Sequence, residues 1–229
     1  MLSAPKSVKT QRRQDRRFQI ISIVFLAIVA FFQTFPFWIK LIDATHSPEF
    51  LPEIGKVYIW FADFTLVNFK TVIESARLFQ ALGVSLLHTV SFTGLSLFVA
   101  VLVGYVLAKM QFKGKAFVST LLLTTLMIPG EILLAANYKL TIFFGINDSI
   151  LGIILPGIVN VFGIFLVKQY MSNIPDSVLE AAGIDGCGEF KKIIVIVFPM
   201  SVPIIMTYVI LTFIGTWNEY LFPMILYTT

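Results

Sequence analysis

Charge is scarce in this chain of 229 residues: 13% are Asp, Glu, Lys or Arg, against 57% hydrophobic. Soluble domains carry about 25% charged and about 45–50% apolar residues, so the shortage excludes an ordinary water-soluble domain and points to an integral membrane protein. The single cysteine, Cys187, excludes an intrachain disulfide, and no His or second Cys lies near it in sequence. The two histidines, His46 and His88, are far apart and lack the spacing of a metal site. No Gly-x-x-x-x-Gly-Lys loop is present to cradle a nucleotide phosphate, and no Gly-x-Ser-x-Gly nucleophile turn. The sequence therefore offers no catalytic residue, no metal ligand and no cofactor site. The net charge of +4 does not indicate nucleic acid, because the basic residues flank apolar runs instead of sharing one face.

Long apolar runs are what the sequence does have. A membrane-crossing helix needs roughly 20 such residues. Phe18–Ile39 and Leu78–Ala108 carry no charge; Ala116–Tyr138 is interrupted only by Glu131; Ser149–Val167 is short and clean; Ile193–Asn218 is long and clean. Apolar and polar residues do not alternate in these runs, so they read as helices, not barrel strands. The spacing predicts an all-α membrane protein with five transmembrane helices at about 18–41, 85–108, 116–138, 149–170 and 193–216. The first is read as an uncleaved helix, since its apolar run outlasts a signal-peptide core and Phe35-Pro36-Phe37-Trp38 follows in place of a small-x-small site.

Orientation follows from Lys and Arg. Lys6, Lys9, Arg12, Arg13, Arg16 and Arg17 precede the first span, Lys109, Lys113 and Lys115 follow the second, and Lys168, Lys191 and Lys192 follow the fourth. These are 12 of the 17 basic residues, and alternating helices place them all on one side. Asp43, Glu49, Glu53, Asp63, Glu74 and Asp148 fall on the other. The expectation is a multi-pass protein of a prokaryotic cytoplasmic membrane, with residues 1–17 a basic cytoplasmic N-terminus. Residues 42–82 form an extracytoplasmic loop, broken at Pro48 and Pro52, with Val67–Leu82 either a helix lying at the lipid interface or a simple connector. Residues 83–229 form the main membrane domain. After Trp217-Asn218-Glu219-Tyr220 the apolar tail to Thr229 is too short to cross.

Between the last two spans the chain turns polar: EAAGIDGCGEFKKIIVIVFP, Glu180–Pro199. Pro175 suits a first helical turn, Ser177-x-x-Glu180 fits a capping box, Ala181 and Ala182 favour helix, and Gly186 and Gly188 can end one through left-handed backbone. A short helix of two to three turns at about 175–187 is expected, then a sharp stop. Pattern alone leaves open whether it contacts another protein or merely connects two spans. Within the spans, Pro129-Gly130-Glu131, Pro156-Gly157 and Pro199 with Pro203 interrupt helix hydrogen bonding. Glu131 reads either as a pathway-lining group or as an interfacial carboxylate near a helix end, because a charge at the bilayer centre costs roughly 2.5–3.5 kcal/mol on insertion scales.

The polar stretch resembles the EAA signature of ABC-transporter permease subunits, EAA-x3-G-x9-I-x-L-P. Glu180, Ala181, Ala182, Gly186, Ile196 and Pro199 match it, and Phe198 stands where Leu is usual. Phe165–Tyr170 with Ile174-Pro175, Ile184-Asp185-Gly186, Trp217-Asn218-Glu219-Tyr220, Leu107-Ala108-Lys109 with Phe112-Lys113-Gly114, and Val67-Asn68-Phe69 are similar to elements of binding-protein-dependent sugar permeases of the maltose/glycerol-3-phosphate type. The resemblance covers about 66–229. It implies the transmembrane domain of a type I ABC importer, which pairs with a second permease subunit in the lipid. It also implies a cytoplasmic ATPase dimer as the motor and an extracytoplasmic solute-binding protein that delivers a carbohydrate or glycerol-phosphate-like solute. Glu180, Ala181, Ala182, Asp185 and Gly186 are then the ATPase-coupling residues, and Ile196, Pro199, Trp217 and Asn218 motif or structural positions. Two departures are visible: such permeases usually have a sixth helix beyond the Trp-Asn element, and Val84-Ser85 stands where relatives often show Asn-Ser. A non-sugar ABC permease and a truncated membrane scaffold without transport are the alternatives, and the sequence does not name the solute.

Overall fold

The computed structural model describes residues 8–48, 57–61, 63–75 and 77–227, with backbone only for 8–15 and 75. The Pro52 break, the charges of Lys6, Glu49 and Glu53, and Thr229 lie outside the described residues; so do the side chains of Lys9, Arg12 and Arg13. All regular elements described are helical, and one isolated antiparallel bridge joins His46 to Phe64. The chain divides into two units, 1–80 and 81–229.

In the first unit, helix α1 (Val8–Ala44) runs straight through Pro36 and leaves most of its apolar side chains uncovered. That is the condition of a helix whose solvent is lipid. Its last turn is tied to the segment that follows. Thr65 N–H donates to the Thr45 carbonyl (2.6 Å), and the Asn68 amide donates to the carbonyls of Ala44 (3.1 Å) and His46 (2.7 Å). Trp38 donates its indole N–H to the Ile59 carbonyl (3.1 Å) and packs edge-on against Phe61. Asn68, noted above only for a family likeness, thus closes a loop. Helix α2 (Val67–Ser75) is shorter than the expected Val67–Leu82, because the backbone reverses at Arg77, which has φ +48°, and a new helix starts at Leu78.

That new helix, α3 (Leu78–Lys109), continues through the second unit and begins earlier than the expected 85. Together with Arg16–Ala44 it is one of two described helices long and apolar enough to cross a membrane; three bent pairs raise the number to five if each is one span. The expected single helix over 116–138 is instead α4 (Lys115–Thr125) and α5 (Gly130–Phe143), turned through 101°. Pro129 at the N-cap of α5 has an extended backbone and no N–H to continue α4. The fourth run is α6 (Ile150–Gly157) and α7 (Val161–Met171), bent by 49° where the Asn160 side chain accepts from the Gly163 N–H (2.9 Å) and restarts the helix.

After α7 comes the short polar helix α8 (Asp176–Ile184), then α9 (Glu189–Lys192), a wider π turn (Ile193–Val197), α10 (Phe198–Met200), α11 (Val202–Asn218) and α12 (Leu221–Leu226). The fifth run bends by 81° between Met200 and Val202, flanked by Pro199 and Pro203. Two local expectations fail. The capping box does not form, since Pro175 occupies the N-cap, Ser177 lies two positions inside it, and no side chain caps α8. Gly188 is extended at φ −67° and starts α9; only Gly186, at φ +78°, uses the left-handed region.

The core joins α3, α7, α8, the π turn and α11 through Ala100, Tyr105, Ile164, Val167, Leu179, Val197 and Tyr208. Close approach rests on two glycines. A Cβ on Gly163 would lie 2.2 Å from the Tyr208 ring, and one on Gly104 would lie 3.1 Å from Val167. Small residues let membrane helices pack where no hydrophobic effect drives them together. The Tyr208 hydroxyl donates to Ser96 Oγ (3.0 Å), tying α11 to α3.

Candidate functional site

Helix α8 is nine residues long, too short to stand alone in water. It is held through Leu179, 7% exposed in the core, and by the residues on either side of it. Glu180, Ala181 and Asp185 are exposed, Ala182 is half-buried, and Ile184 at the helix end is 88% exposed. Beyond Ile184, Asp185 is the C-cap and Gly186 reverses the chain; nothing lies within 4 Å of the place a Gly186 Cβ would occupy. One side of α8 is therefore fixed to the bundle and the other is open, with an isolated aliphatic side chain between acidic ones.

Two polar brackets flank α8. On the N-terminal side, the Lys109 ammonium donates to Asp176 Oδ1 (2.6 Å) and to the Ile174 carbonyl. On the C-terminal side, the Tyr105 hydroxyl donates to Glu189 Oε2 (2.6 Å), whose other oxygen accepts from Lys192 Nζ (2.7 Å). Sequence reasoning missed these residues as a group. Tyr105 and Lys109 are one helical turn apart, a visible signal for a shared face, but nothing local points to partners 84 and 67 residues away.

Of the motif positions, Ile196 is half-buried against the core and Pro199 is exposed in α10. Trp217 stacks on Phe213, with ring centroids 6.1 Å apart and planes 6° from parallel. Asn218 donates to the Ile214 carbonyl (2.8 Å) and ends α11. Glu131 is exposed in the first turn of α5, where the helix dipole favours a negative charge. The structure brings Glu131 and Asn218 to one open cavity of about 480 Å³, lined also by Asn137, Glu219, Phe92 and Tyr220, with no Lys, Arg or His among its described lining residues. No α8 residue lines it. Phe92, Asn137 and Glu219 were not singled out from sequence, although Glu219 stands inside the Trp-Asn element. Its side chain still meets solvent, yet the surrounding walls desolvate it and hold its carboxyl above the ordinary carboxylate range. No group of three or more metal-ligating side chains occurs among the described residues.

Comparisons with known proteins bear on this arrangement. Residues 100–228 match the family described as "Binding-protein-dependent transport system inner membrane component". The chain is 33% identical over 202 residues to "Arabinooligosaccharides transport system permease protein AraQ" of Halalkalibacterium halodurans, covering 87% of this chain and 72% of that protein. It is 30% identical over 165 residues to "Alpha-glucoside transport system permease protein AglG" of Rhizobium meliloti, covering 69% and 43%. A chain in the crystal structure of a bacterial ABC transporter involved in the import of the acidic polysaccharide alginate shares the fold, with a TM-score of 0.81 over 99% of this chain and 78% of that one at 24% identity. The broken helices, the polar helix between the last two spans and the match over 100–228 agree: the chain belongs to the family of binding-protein-dependent transport system inner membrane components.

Proposed function

We propose that the chain is a membrane permease subunit of an ATP-driven importer of carbohydrate, and that α8 docks on a separate ATPase subunit. The observation that carries this reading is the exposed outer side of α8. It presents Glu180, Ala181, Ile184 and Asp185 away from a core that anchors the helix through Leu179. A contact helix needs such a rigid mount, because a helix ordered only on binding loses affinity to the ordering entropy. The relatives named for arabinooligosaccharide and alpha-glucoside transport support carbohydrate as the cargo class. The N-terminus and α8 are cytoplasmic in this reading, supported by the Lys and Arg distribution. A second permease subunit completes the pathway, and an extracytoplasmic binding protein supplies the solute.

Glu131, Asn137, Asn218 and Glu219 are the groups of the 480 Å³ cavity able to hydrogen-bond a polyhydroxylated solute, and Phe92 and Tyr220 offer flat apolar faces to a sugar ring. We assign this cavity to the transport path. The docking reading is tested by co-purifying the importer's ATPase subunit from membranes with the wild-type chain and with Glu180→Lys and Ile184→Asp. Retention by wild type and loss by both variants, at equal membrane levels, is the expected result. Equal retention by all three would remove α8 from the interface.

A further inference from the structure

We propose that Tyr105 and Lys109 are positioning residues that lock α8 to α3 at both flanks, making α3 the lever through which movement of α8 reaches the spans. The inference rests on the docking reading above and goes beyond it: neither residue belongs to the contact surface of Glu180, Ala181, Ile184 and Asp185, and the one α8 side chain bonded by either is Asp176 at its first residue.

The geometry is that of a two-point clamp. Tyr105 and Lys109 lie four residues apart in the last turns of α3, hence on one side of it. Lys109 seizes the chain at Ile174 and Asp176, immediately before α8 and at its first residue. Tyr105 seizes it at Glu189, just after the Gly186 reversal. The Glu189 partner Lys192 completes the second point. Its ammonium would stand 3.3 Å from a Cβ at Gly183, so this bracket reaches α8 itself, and the missing side chain there keeps the approach open.

Burial separates these pairs from ordinary surface ion pairs. The Lys109 side chain is only 6% exposed while Asp176 is 75% exposed. A desolvated ammonium held by a carbonyl and a carboxylate gives up much to swing free, whereas an exposed pair exchanges partners at little cost. Tyr105 is 2% exposed, and its hydroxyl has Glu189 as a charge-assisted acceptor. Only Leu179 of α8 is itself buried, so without the clamp one apolar contact would locate the helix. Farther along, α3 meets α7 at Gly104 and α11 at Ser96–Tyr208. A push on α8 therefore enters α3 at two points and has defined contacts through which to leave.

A loosened clamp predicts a specific defect. The outer face of α8 is intact, so the ATPase still docks and hydrolyses ATP, but its stroke is spent in slack. The test uses the whole importer in proteoliposomes, comparing wild type, Tyr105→Phe, Lys109→Met and Lys109→Arg for ATPase retention and for solute transported per ATP hydrolysed. The expected result is unchanged retention, a ratio at least about fivefold lower for Tyr105→Phe and Lys109→Met, on the scale of ordinary coupling energies, and recovery toward wild type with Lys109→Arg. Amide hydrogen exchange on the purified chain supplies a second measurement. Tyr105→Phe should speed exchange over 174–192 and leave 96–104 unchanged. An unaltered transport-to-hydrolysis ratio, or exchange that stays slow over 174–192, overturns the clamp while leaving docking intact. Failure of the wild-type chain to retain the ATPase overturns the docking reading and the clamp with it.

Discussion

The two polar places of the 81–229 unit differ in how their charges are settled. Around α8, Lys109 meets Asp176, Lys192 meets Glu189, and Tyr105 closes the second bracket, all within 2.7 Å. In the cavity beside α5 and the end of α11, Glu131 and Glu219 face open space with two amides for company and no described cation in the lining. Paired charges hold geometry; unpaired ones in a concavity leave hydrogen-bonding capacity for something else. In the proposed reading, the paired charges lie where a partner docks and the unpaired ones where a solute passes.

The strongest way to break this contrast is to disturb the packing both places share. Gly163→Ala sets a methyl 2.2 Å from the Tyr208 ring, in a core that cannot open without moving α7 or α11. Overpacking typically costs about 1–3 kcal/mol, and this clash belongs at the upper end. Thermal unfolding of the detergent-solubilised chain should show the loss, and the variant should lose ATPase retention as well. Next in size, Lys109→Met strips the Ile174 carbonyl and Asp176 of their shared donor, with an expected loss of about 1–2 kcal/mol since Asp176 can return to water. Lys109→Arg should recover most of it in the same measurement. The smallest stability effect is expected at the other place. Glu131→Gln breaks no described hydrogen bond or ion pair and should stay within about 0.5 kcal/mol of wild type. Carbohydrate uptake by the assembled importer should nonetheless fall, because an amide oxygen is a weaker acceptor than a carboxylate. A large stability change with unaltered uptake would make Glu131 a structural group.

Much of α8 was legible beforehand because its signals are local. Ala181 and Ala182 favour helix, Gly186 supplies the left-handed stop, and both stand at fixed spacing from Ile196 and Pro199. The places where spans break were legible for the same reason, since proline acts on its own backbone. The angles were not: nothing in the local sequence gives 101° or 81°. The capping box failed locally, because Pro175 takes the N-cap and leaves Ser177 inside the first turn. Tyr105 was invisible because its acceptor lies 84 residues on, in a segment whose sequence speaks only of a helix start. The break beside Glu131 was visible in the sequence, but the residues lining its cavity come from five different helices, which no window of sequence displays.

Docking of α8 is the claim on which the rest depends, and photo-crosslinking from two positions five residues apart, on different sides of the helix, tests it most directly. A photoreactive residue replaces Ile184, 88% exposed at the end of α8, or Leu179, 7% exposed on its inner side. In membranes containing the complete importer, the account predicts an adduct with the ATPase subunit from position 184 and none from position 179. An adduct from neither, or from both alike, would contradict it.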